Sequence, residues 1–211
     1  MKTIIKYIIR LLIRIWSYIY PYNFSHRLNS YCNKLYTIWF RNFIGYMGDD
    51  SIVYRPCSLQ GYNFSKISIG HNTIIQNNCV LGCWNPSEDN TDRPSIVIGD
   101  GCHIGRYNQI TAYEGVIIGN NLLTGSYVLI SDNNHGNFSK KDIKLPPAQR
   151  KLITKGKVVI GNNVWLGDKV TILAGAKIGD NVIVAANAVV VGEIPSNCLA
   201  GGIPAKKIKE L

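Results

Sequence analysis

Acidic residues are scarce in this sequence, and none occurs before Asp49. The 13 Asp and Glu residues face 23 Lys and Arg residues, which gives a formal net charge of +10. The acid-free first part of the chain holds these basic residues: Lys2, Lys6, Arg10, Arg14, Arg27, Lys34 and Arg41. This excess of positive charge in the first part of the chain indicates contact with an anionic surface or ligand, such as lipid headgroups, nucleic acid or phosphorylated compounds.

Disulfide and nucleotide-loop motifs are also lacking. None of the six cysteines forms a CxxC pair, and the sequence shows no cleavable signal peptide, so we expect a reduced cytosolic compartment. Cys79 and Cys102 occupy small inward positions of the repeat described below, which predicts core packing rather than metal binding. The glycines follow that repeat and form no P-loop or dinucleotide loop.

A long uncharged hydrophobic run is missing as well. Residues 1–20 read as a helix ended by Pro21, with Lys2, Lys6, Arg10 and Arg14 spaced four apart along one stripe. A transmembrane span needs about twenty mostly uncharged residues. We therefore expect residues 1–50 to be a basic amphipathic helical segment whose first helix lies at a membrane surface. The alternative is a helix packed on its own solenoid or on a neighbouring subunit. After Pro21 we expect a short helix and a lead-in to the first coil.

The chain does have a six-residue period. One strict register contains Ile160, Leu166, Ile172, Ile178, Val184 and Val190, and earlier stretches repeat the period at 69–81, 98–110 and 118–130. A fixed hexapeptide period predicts an all-β solenoid, a parallel β-helix in which each hexapeptide is one side of a triangular coil of about eighteen residues. Gly or Asn beside the aliphatic residue is expected to turn the corner at positive φ.

Interruptions of the period indicate where function lies, because solenoid insertions gather on one face. The period fails between Cys83 and Ser95, slips by two residues near Gly115, and breaks over about 132–158. The solenoid is expected from about residue 51 to 195, followed by a short basic extension along the last coil.

The longest break begins with Asp132 and His135. A histidine near neutral pKa can remove a proton from an attacking hydroxyl, and an acidic residue three positions earlier can orient the imidazole. The alternative is an ordinary turn histidine in a polar loop. His71 and His103 do not form a recognisable zinc set with His135, so we expect no metal. The basic segment 140–157 is either a solvated loop or a site for an anionic ligand.

Three stretches resemble hexapeptide-repeat acyltransferases, in the sugar and polysaccharide O-acetyltransferase branch. They are Ile-Gly-Asn-Asn-Val-Trp-Leu-Gly at 160–167, Val-Thr-Ile-Leu-Ala-Gly-Ala at 170–176 and Ala-Gly-Gly-Ile-Pro-Ala-Lys at 200–206. The resemblance covers about residues 51–211 and implies a left-handed β-helix acyltransferase domain with its active-site loop at about 132–158. It also implies a homotrimer with each active site between neighbouring solenoids.

The resemblance further implies a role for individual residues. The catalytic pair matches His135 and Asp132, and the substrate-binding residues match Asn108, Trp165 and Asn134. The residues that hold the acyl donor, acetyl-CoA, match Gly167, Ala185, Ala186 and Lys206. Members often carry Thr-Lys after the last coil, where this chain has Val191-Gly192, so its phosphate contacts are expected to depend on Lys206 and the basic loop.

Together with the basic N-terminal helix, the resemblance implies transfer of an acetyl group from acetyl-CoA to a hydroxyl of a sugar, in the biosynthesis of a bacterial surface polysaccharide. The partners expected are acetyl-CoA, a saccharide acceptor and two further copies of the chain, without nucleic acid. The expected location is the cytoplasm, at the inner face of the bacterial cytoplasmic membrane. Open alternatives are an N-acetyltransferase, a serine acetyltransferase and a non-catalytic solenoid scaffold.

Overall fold

The structure is a computed structural model, and it describes residues 2–84, 95–137 and 139–211. Two helices are followed by a stack of short strands. The break expected between Cys83 and Ser95 lies, from 85 to 94, outside the described residues.

Helix α1 (Lys2–Ile19) and helix α2 (Tyr22–Arg41) are separated by Pro21. The helix predicted over residues 1–20 is confirmed, and no residue of α1 is buried. Helix α2 is much longer than the short helix expected after Pro21, because it buries Asn33, Thr37 and Phe40 against the first coil. This packing covers the open end of the stack.

The strands and the third helix follow in chain order: β1 (Tyr46–Met47), β2 (Ile52–Val53), β3 (Cys57–Gly61), β4 (Ile67–Ile69), β5 (Ile74–Ile75), β6 (Cys79–Cys83), β7 (Ile96–Ile98), β8 (His103–Ile104), β9 (Gln109–Ala112), β10 (Val116–Ile118), β11 (Leu123–Thr124), β12 (Leu129–Ser131), β13 (Asn133–His135), α3 (Lys140–Ile143), β14 (Leu152–Thr154), β15 (Val158–Ile160), β16 (Trp165–Leu166), β17 (Thr171–Ile172), β18 (Lys177–Ile178), β19 (Val182–Val184), β20 (Val189–Val190), β21 (Glu193–Ile194), β22 (Cys198–Gly202) and β23 (Ala205–Glu210). Single 3₁₀ turns lie at Phe64–Lys66 and Pro147–Gln149.

Strands β13 and β14 form a separate two-stranded sheet, and the other strands build three sheets. Along the chain, the strands of these three sheets from β1 to β22 pass in turn from the first to the second to the third. The first sheet has the order β1-β4-β7-β10-β15-β18-β21, the second β2-β5-β8-β11-β16-β19-β22-β23, and the third β3-β6-β9-β12-β17-β20. Neighbouring strands are parallel, except that β23 returns antiparallel along β22. Ile160 pairs with Ile178, one turn of eighteen residues later. The predicted parallel β-solenoid is confirmed.

Aliphatic residues on the six-residue period fill the interior of the coil. Ile160, Leu166, Ile172 and Val184 are at most 1% exposed. Burial of each such side chain stabilises the fold by roughly 1.5–3 kcal/mol. Cys79 is also buried, and burial raises the pKa of its thiol to about 11, so it is a packed, unreactive core residue.

The corner between the first and second sheets uses glycine and asparagine for different purposes. Asn163 has a φ of 55°, the left-handed conformation that asparagine tolerates. Gly161 does not have positive φ; a Cβ there would lie 2.6 Å from Asp180 Oδ1 on the next coil. The glycine is therefore required for close approach of two coils, and the positive φ falls two residues later.

A regular hydrogen-bond ladder follows this corner, which we call the asparagine corner (Asn121, Asn163, Asn181 and Asn197). The Nδ2 of each of the first three donates to Oδ1 of the next, at 3.0, 3.1 and 2.9 Å. Each coil is thereby joined to the next along the stack.

Among the helices that the structure describes, none is long and apolar enough to cross a bilayer.

Candidate acyl-transfer site

The long insertion leaves the stack at the corner between the third and first sheets, after β12. Asp132, the first residue beyond β12, is completely buried. Its Oδ1 accepts a hydrogen bond from Tyr113 N–H (2.6 Å), and its Oδ2 accepts from Glu114 (2.7 Å) and Gly115 (2.6 Å) N–H. The turn that Asp132 binds contains the two residues by which the period slips, so the slip and the insertion meet at one carboxylate.

His135 lies three residues further on, in a small hairpin outside the coil. Strand β13 pairs antiparallel with β14, with His135 opposite Leu152. Gly136, at φ 75°, turns the chain out of β13, and its N–H donates to Lys151 O at 2.8 Å. The pairing of β13 with β14 therefore fixes the backbone of His135.

The side chain of His135 borders a cleft of about 410 Å³. The cleft is lined by Asn134, His135, Gly136, Asn137, Arg150, Ile153, Lys155, Leu173, Ala174 and Val191. Arg150 and Lys155 give it positive charge, whereas Leu173 and Val191 give it an apolar floor. Such a mixture suits a ligand that carries both a negative charge and apolar atoms.

Asp132 does not reach His135. Among the hydrogen bonds of the described residues, those of the Asp132 carboxylate go to the 113–115 backbone and to Asn133 Nδ2 (3.3 Å). No described residue hydrogen-bonds the imidazole of His135 within one chain. The Asp132 carboxylate thus anchors the backbone before the hairpin, and its expected orienting contact with the imidazole stays a prediction.

Asn108 is also placed away from the cleft. Its side chain is 2% exposed, its Nδ2 donates to Thr124 Oγ1, and its Oδ1 accepts from Val128 N–H at 2.7 Å. Both ends of the amide are occupied inside the coil, where they hold the corner between the second and third sheets. The predicted acceptor-binding role of Asn108 has no contact with the cleft to support it.

The predicted acyl-donor residues do come together, at the corner between the second and third sheets. A Cβ on Gly167 would lie 2.6 Å from Ala186 N, so Gly167 rests directly on the Ala185–Ala186 turn of the next coil. Lys206 of β23 pairs with Gly201 of β22, and a Cβ on Gly201 would lie 3.2 Å from that of Ala185. The four residues form one continuous strip along the end of the stack.

Trp165 belongs to the outer surface of the second sheet. It is half exposed, it pairs with Leu123 and Ile183 on the neighbouring coils, and it lies two residues before Gly167. It therefore flanks the strip of acyl-donor residues, and it does not line the His135 cleft.

His135 and the acyl-donor strip stand at different corners of the same coil. A side of the third sheet separates them, and a side of six residues spans at most about 20 Å at ~3.3 Å per residue. His135 and the acyl-donor strip are therefore two separate parts of the surface of one chain, which we call half-sites.

Leu173 and Val191 line this cleft although the sequence did not place them there: Leu173 has no predicted site role, and Val191-Gly192 enters the prediction only as a departure from the family near the acyl donor. Leu173 and Val191 each follow an aliphatic residue of the period, Ile172 and Val190, on the coils after the insertion. Counting one position beyond the period on those coils would have found them.

In the described parts of the chain, no group of three or more His, Cys, Asp or Glu side chains could hold a metal ion.

Comparison with known proteins relates the coil to hexapeptide-repeat transferases. Residues 157–192 match the family model described as bacterial transferase hexapeptide (six repeats). The match confirms the predicted resemblance and covers the coils on which the acyl-donor strip and the floor of the cleft are built.

Curated relatives share this region of the chain. A putative lipopolysaccharide biosynthesis O-acetyl transferase of Escherichia coli, WbbJ, is 43% identical over 122 residues, 56% of this chain and 62% of that protein. The galactoside O-acetyltransferase of Escherichia coli is 34% identical over 124 residues, 54% of this chain and 56% of that protein. The chain thus spans less than two thirds of the length of either relative.

A solved structure shares the fold over a longer stretch. A mutant of AntD, an N-acyltransferase from Bacillus cereus, was solved with dTDP-4-amino-4,6-dideoxyglucose and coenzyme A. It matches 82% of this chain and 87% of its own with a TM-score of 0.65 at 22% identity, which shows a common fold.

Proposed function

We propose that this protein is a left-handed β-helix acyltransferase that moves an acetyl group from acetyl-CoA to a hydroxyl of a sugar. The observation that carries the proposal is the position of His135: an exposed imidazole at the edge of a positively charged cleft, on a hairpin fixed to the coil. The identity to WbbJ and to the galactoside O-acetyltransferase supports a sugar hydroxyl as acceptor.

In the proposed reaction His135 acts as general base. It accepts the proton of the sugar hydroxyl while the hydroxyl oxygen bonds to the thioester carbonyl carbon. The tetrahedral adduct then expels the CoA thiolate, and the thiolate accepts the proton from the imidazolium of His135. Proximity and base catalysis supply the acceleration, and the proposed mechanism needs no metal and no covalent enzyme intermediate.

The arrangement of half-sites supports a homotrimer. Gly167, Ala185, Ala186 and Lys206 would hold acetyl-CoA along the strip of one chain, with the Lys206 ammonium near the phosphates. His135, with Asn134 beside it, would come from the adjacent chain. Trp165 would border the acceptor from the strip side. Asp132 is a positioning residue, because it anchors the start of the hairpin.

The name of WbbJ suggests an acceptor in bacterial surface polysaccharide biosynthesis. An amino-sugar acceptor is the second candidate, because the AntD complex carries an amino sugar on dTDP beside coenzyme A. The deciding assay measures release of CoA thiol from acetyl-CoA with matched hydroxyl, amino and serine acceptors, using wild type and His135→Ala.

We expect release only with hydroxyl-bearing saccharides, and a fall of about 10²–10⁴-fold in turnover in His135→Ala. Release that depends on amino acceptors would move the assignment to N-acyl transfer. If no acceptor supports release and CoA does not bind, the protein is a scaffold. Equal turnover in the variant would remove His135 from the mechanism.

Helix α1 supports a location at the cytoplasmic face of the membrane. Its apolar residues Leu12, Ile13 and Trp16 are 60, 62 and 61% exposed. These side chains cover no part of the stack, while Arg10 and Arg14 on the same helix can contact lipid phosphates. We propose that α1 lies in the interface of an anionic bilayer.

Flotation with vesicles tests this location in the full-length protein. Wild type should float with phosphatidylglycerol-containing vesicles and much less with pure phosphatidylcholine, and the variant Leu12→Ser/Trp16→Ser should stay in solution with both. The exposed Ile208→Ser outside α1 is the control, and it should float like wild type. Equal behaviour of wild type and the α1 variant would mean that α1 packs on a neighbouring chain.

A further inference from the structure

Two tyrosines occupy an unusual backbone conformation at the corner between the second and third sheets. Tyr107 has a φ of 59° and Tyr127 a φ of 61°, although bulky side chains rarely adopt the left-handed region. Their N–H groups donate to Asn77 O (3.3 Å) and Arg106 O (3.0 Å), so they hold equivalent positions on adjacent coils. The fold demands positive φ at this position, but it does not demand tyrosine.

Two other coils fill the same position with asparagine, which tolerates this backbone conformation, and a third has a lysine. Asn78 and Asn187 have φ values of 61° each, and Lys169 has 58°. The positive-φ residues of the asparagine corner are likewise asparagines. Tyrosine is therefore a conformationally costly choice made at two neighbouring coils, and observed backbone strain of this kind is a reason to look for function.

The two rings form a single exposed surface. Their centroids are 4.8 Å apart with an interplanar angle of 3°, and the residues are 47% and 56% exposed. One face of each ring lies against the other ring, and the exposed remainder of each ring, with its hydroxyl, is open to a ligand. The polar side chains of Arg106 and Ser126 directly precede them in the chain.

The pair, which we call the tyrosine platform (Tyr107 and Tyr127), lies in line with the acyl-donor strip. Lys169 N–H donates to Ser126 O at 2.9 Å, so the turn at Gly167–Lys169 is the next coil after Tyr127. Coils are about 4.8 Å apart. The platform therefore continues the strip toward the N-terminal end of the stack, on the side opposite to Lys206.

We infer that the tyrosine platform packs against a pyranose ring of the acceptor, an inference that rests on the proposed function. The C–H face of a pyranose is apolar and slightly positive, and it complements the electron-rich face of an aromatic ring. The hydroxyls at the sugar's edge find donors in Arg106 and Lys169. Donor thioester and acceptor sugar then share one corner, which the His135 corner of the adjacent chain faces.

The structure offers a substitution that removes the rings and relieves the backbone. In Tyr107→Asn/Tyr127→Asn the backbone keeps its φ with a residue that the neighbouring coils already use. We expect the melting temperature to stay equal or rise, and the KM for the saccharide to rise about tenfold or more, with the KM for acetyl-CoA unchanged. Tyr107→Phe/Tyr127→Phe, which keeps both faces, should stay within about threefold of wild type in acceptor KM.

Tyr62, 56% exposed at a different corner, supplies the matched control, and Tyr62→Asn should leave both KM values unchanged. Direct binding of methyl pyranosides, followed by saturation-transfer NMR, gives a readout that needs no turnover. Loss of the pyranoside signal in the Asn variant supports the platform even if wild type transfers no acetyl group, in which case only the proposed function fails.

Two results would overturn the platform. One is an unchanged acceptor KM and an unchanged pyranoside signal in the Asn variant of an active enzyme. The other is a change of oligomeric state on sedimentation, since the rings would then be a contact between copies of this chain.

Discussion

At the asparagine corner one pattern repeats from coil to coil, whereas at the corner between the third and first sheets the described coils differ in length and composition. The link from Asn163 to Asn181 (3.1 Å) has a copy on the coil before it, from Asn121 to Asn163 (3.0 Å), and another on the coil after it, from Asn181 to Asn197 (2.9 Å). Asp132 at the other corner has no such copy among the described residues: one buried carboxylate holds three backbone N–H groups.

The difference shows how a solenoid separates stability from function. Repeated links contribute additively and locally, because each coil contacts only its neighbours. A unique link at the point of insertion carries both a coil and the hairpin that holds His135. We therefore expect large effects from a single substitution at the insertion corner and small effects at the asparagine corner.

Asp132→Ala should be the most damaging change at these two corners. It leaves the N–H groups of Tyr113, Glu114 and Gly115 without their acceptor. The contact with Gly115 is buried and the other two are part-buried, and a buried unsatisfied donor costs about 1–3 kcal/mol. We expect the free energy of unfolding to fall by about 2–5 kcal/mol. Urea denaturation at one fixed protein concentration measures it, since oligomer stability depends on concentration.

Asp168→Ala is the control for that substitution. The Asp168 carboxylate accepts from a single backbone group, Ser126 N–H at 2.7 Å, at an exposed corner, so its loss should cost less than about 1 kcal/mol. Equal losses in the two variants would contradict the special role of the buried carboxylate. A destabilised Asp132→Ala with wild-type turnover at low temperature would separate the carboxylate from the positioning of His135.

Almost all of the coil can be predicted from the sequence, because the coil depends on local periodicity. Ile160, Leu166 and Ile172 predict their own burial, and the slip near Gly115 and the break after Ser131 appear as departures from six. Each of these signals lies within a few residues of the structure that it specifies.

Relations between coils are much harder to predict. Nothing near Asp132 in the sequence shows that its carboxylate binds a turn seventeen to nineteen residues earlier. The buried place of Asn108 depends on Thr124 of the next coil, and the stack of Tyr107 on Tyr127 depends on the exact coil length between them. The length of α2 was underestimated because its buried face is set by the first coil and not by its own pattern.

The asparagine corner gives the smallest expected effect. Asn163→Ala removes two side-chain hydrogen bonds. It also places alanine, which tolerates the left-handed conformation less well than asparagine, at a φ of 55°. Because both bonds are exposed to solvent, we expect a loss of only about 1 kcal/mol in the free energy of unfolding and no change in acceptor or donor KM. Urea denaturation and steady-state kinetics measure the two quantities.

Asn163→Gly separates the two contributions. Glycine keeps the left-handed backbone at no steric cost but loses the same hydrogen bonds, so it should lie between wild type and Asn163→Ala in stability. If Gly and Ala cost the same, the ladder bonds rather than the backbone conformation set the stability of the corner. If either variant lost several kcal/mol, a single rung would matter as much as Asp132, and the contrast between a redundant corner and a unique one would fail.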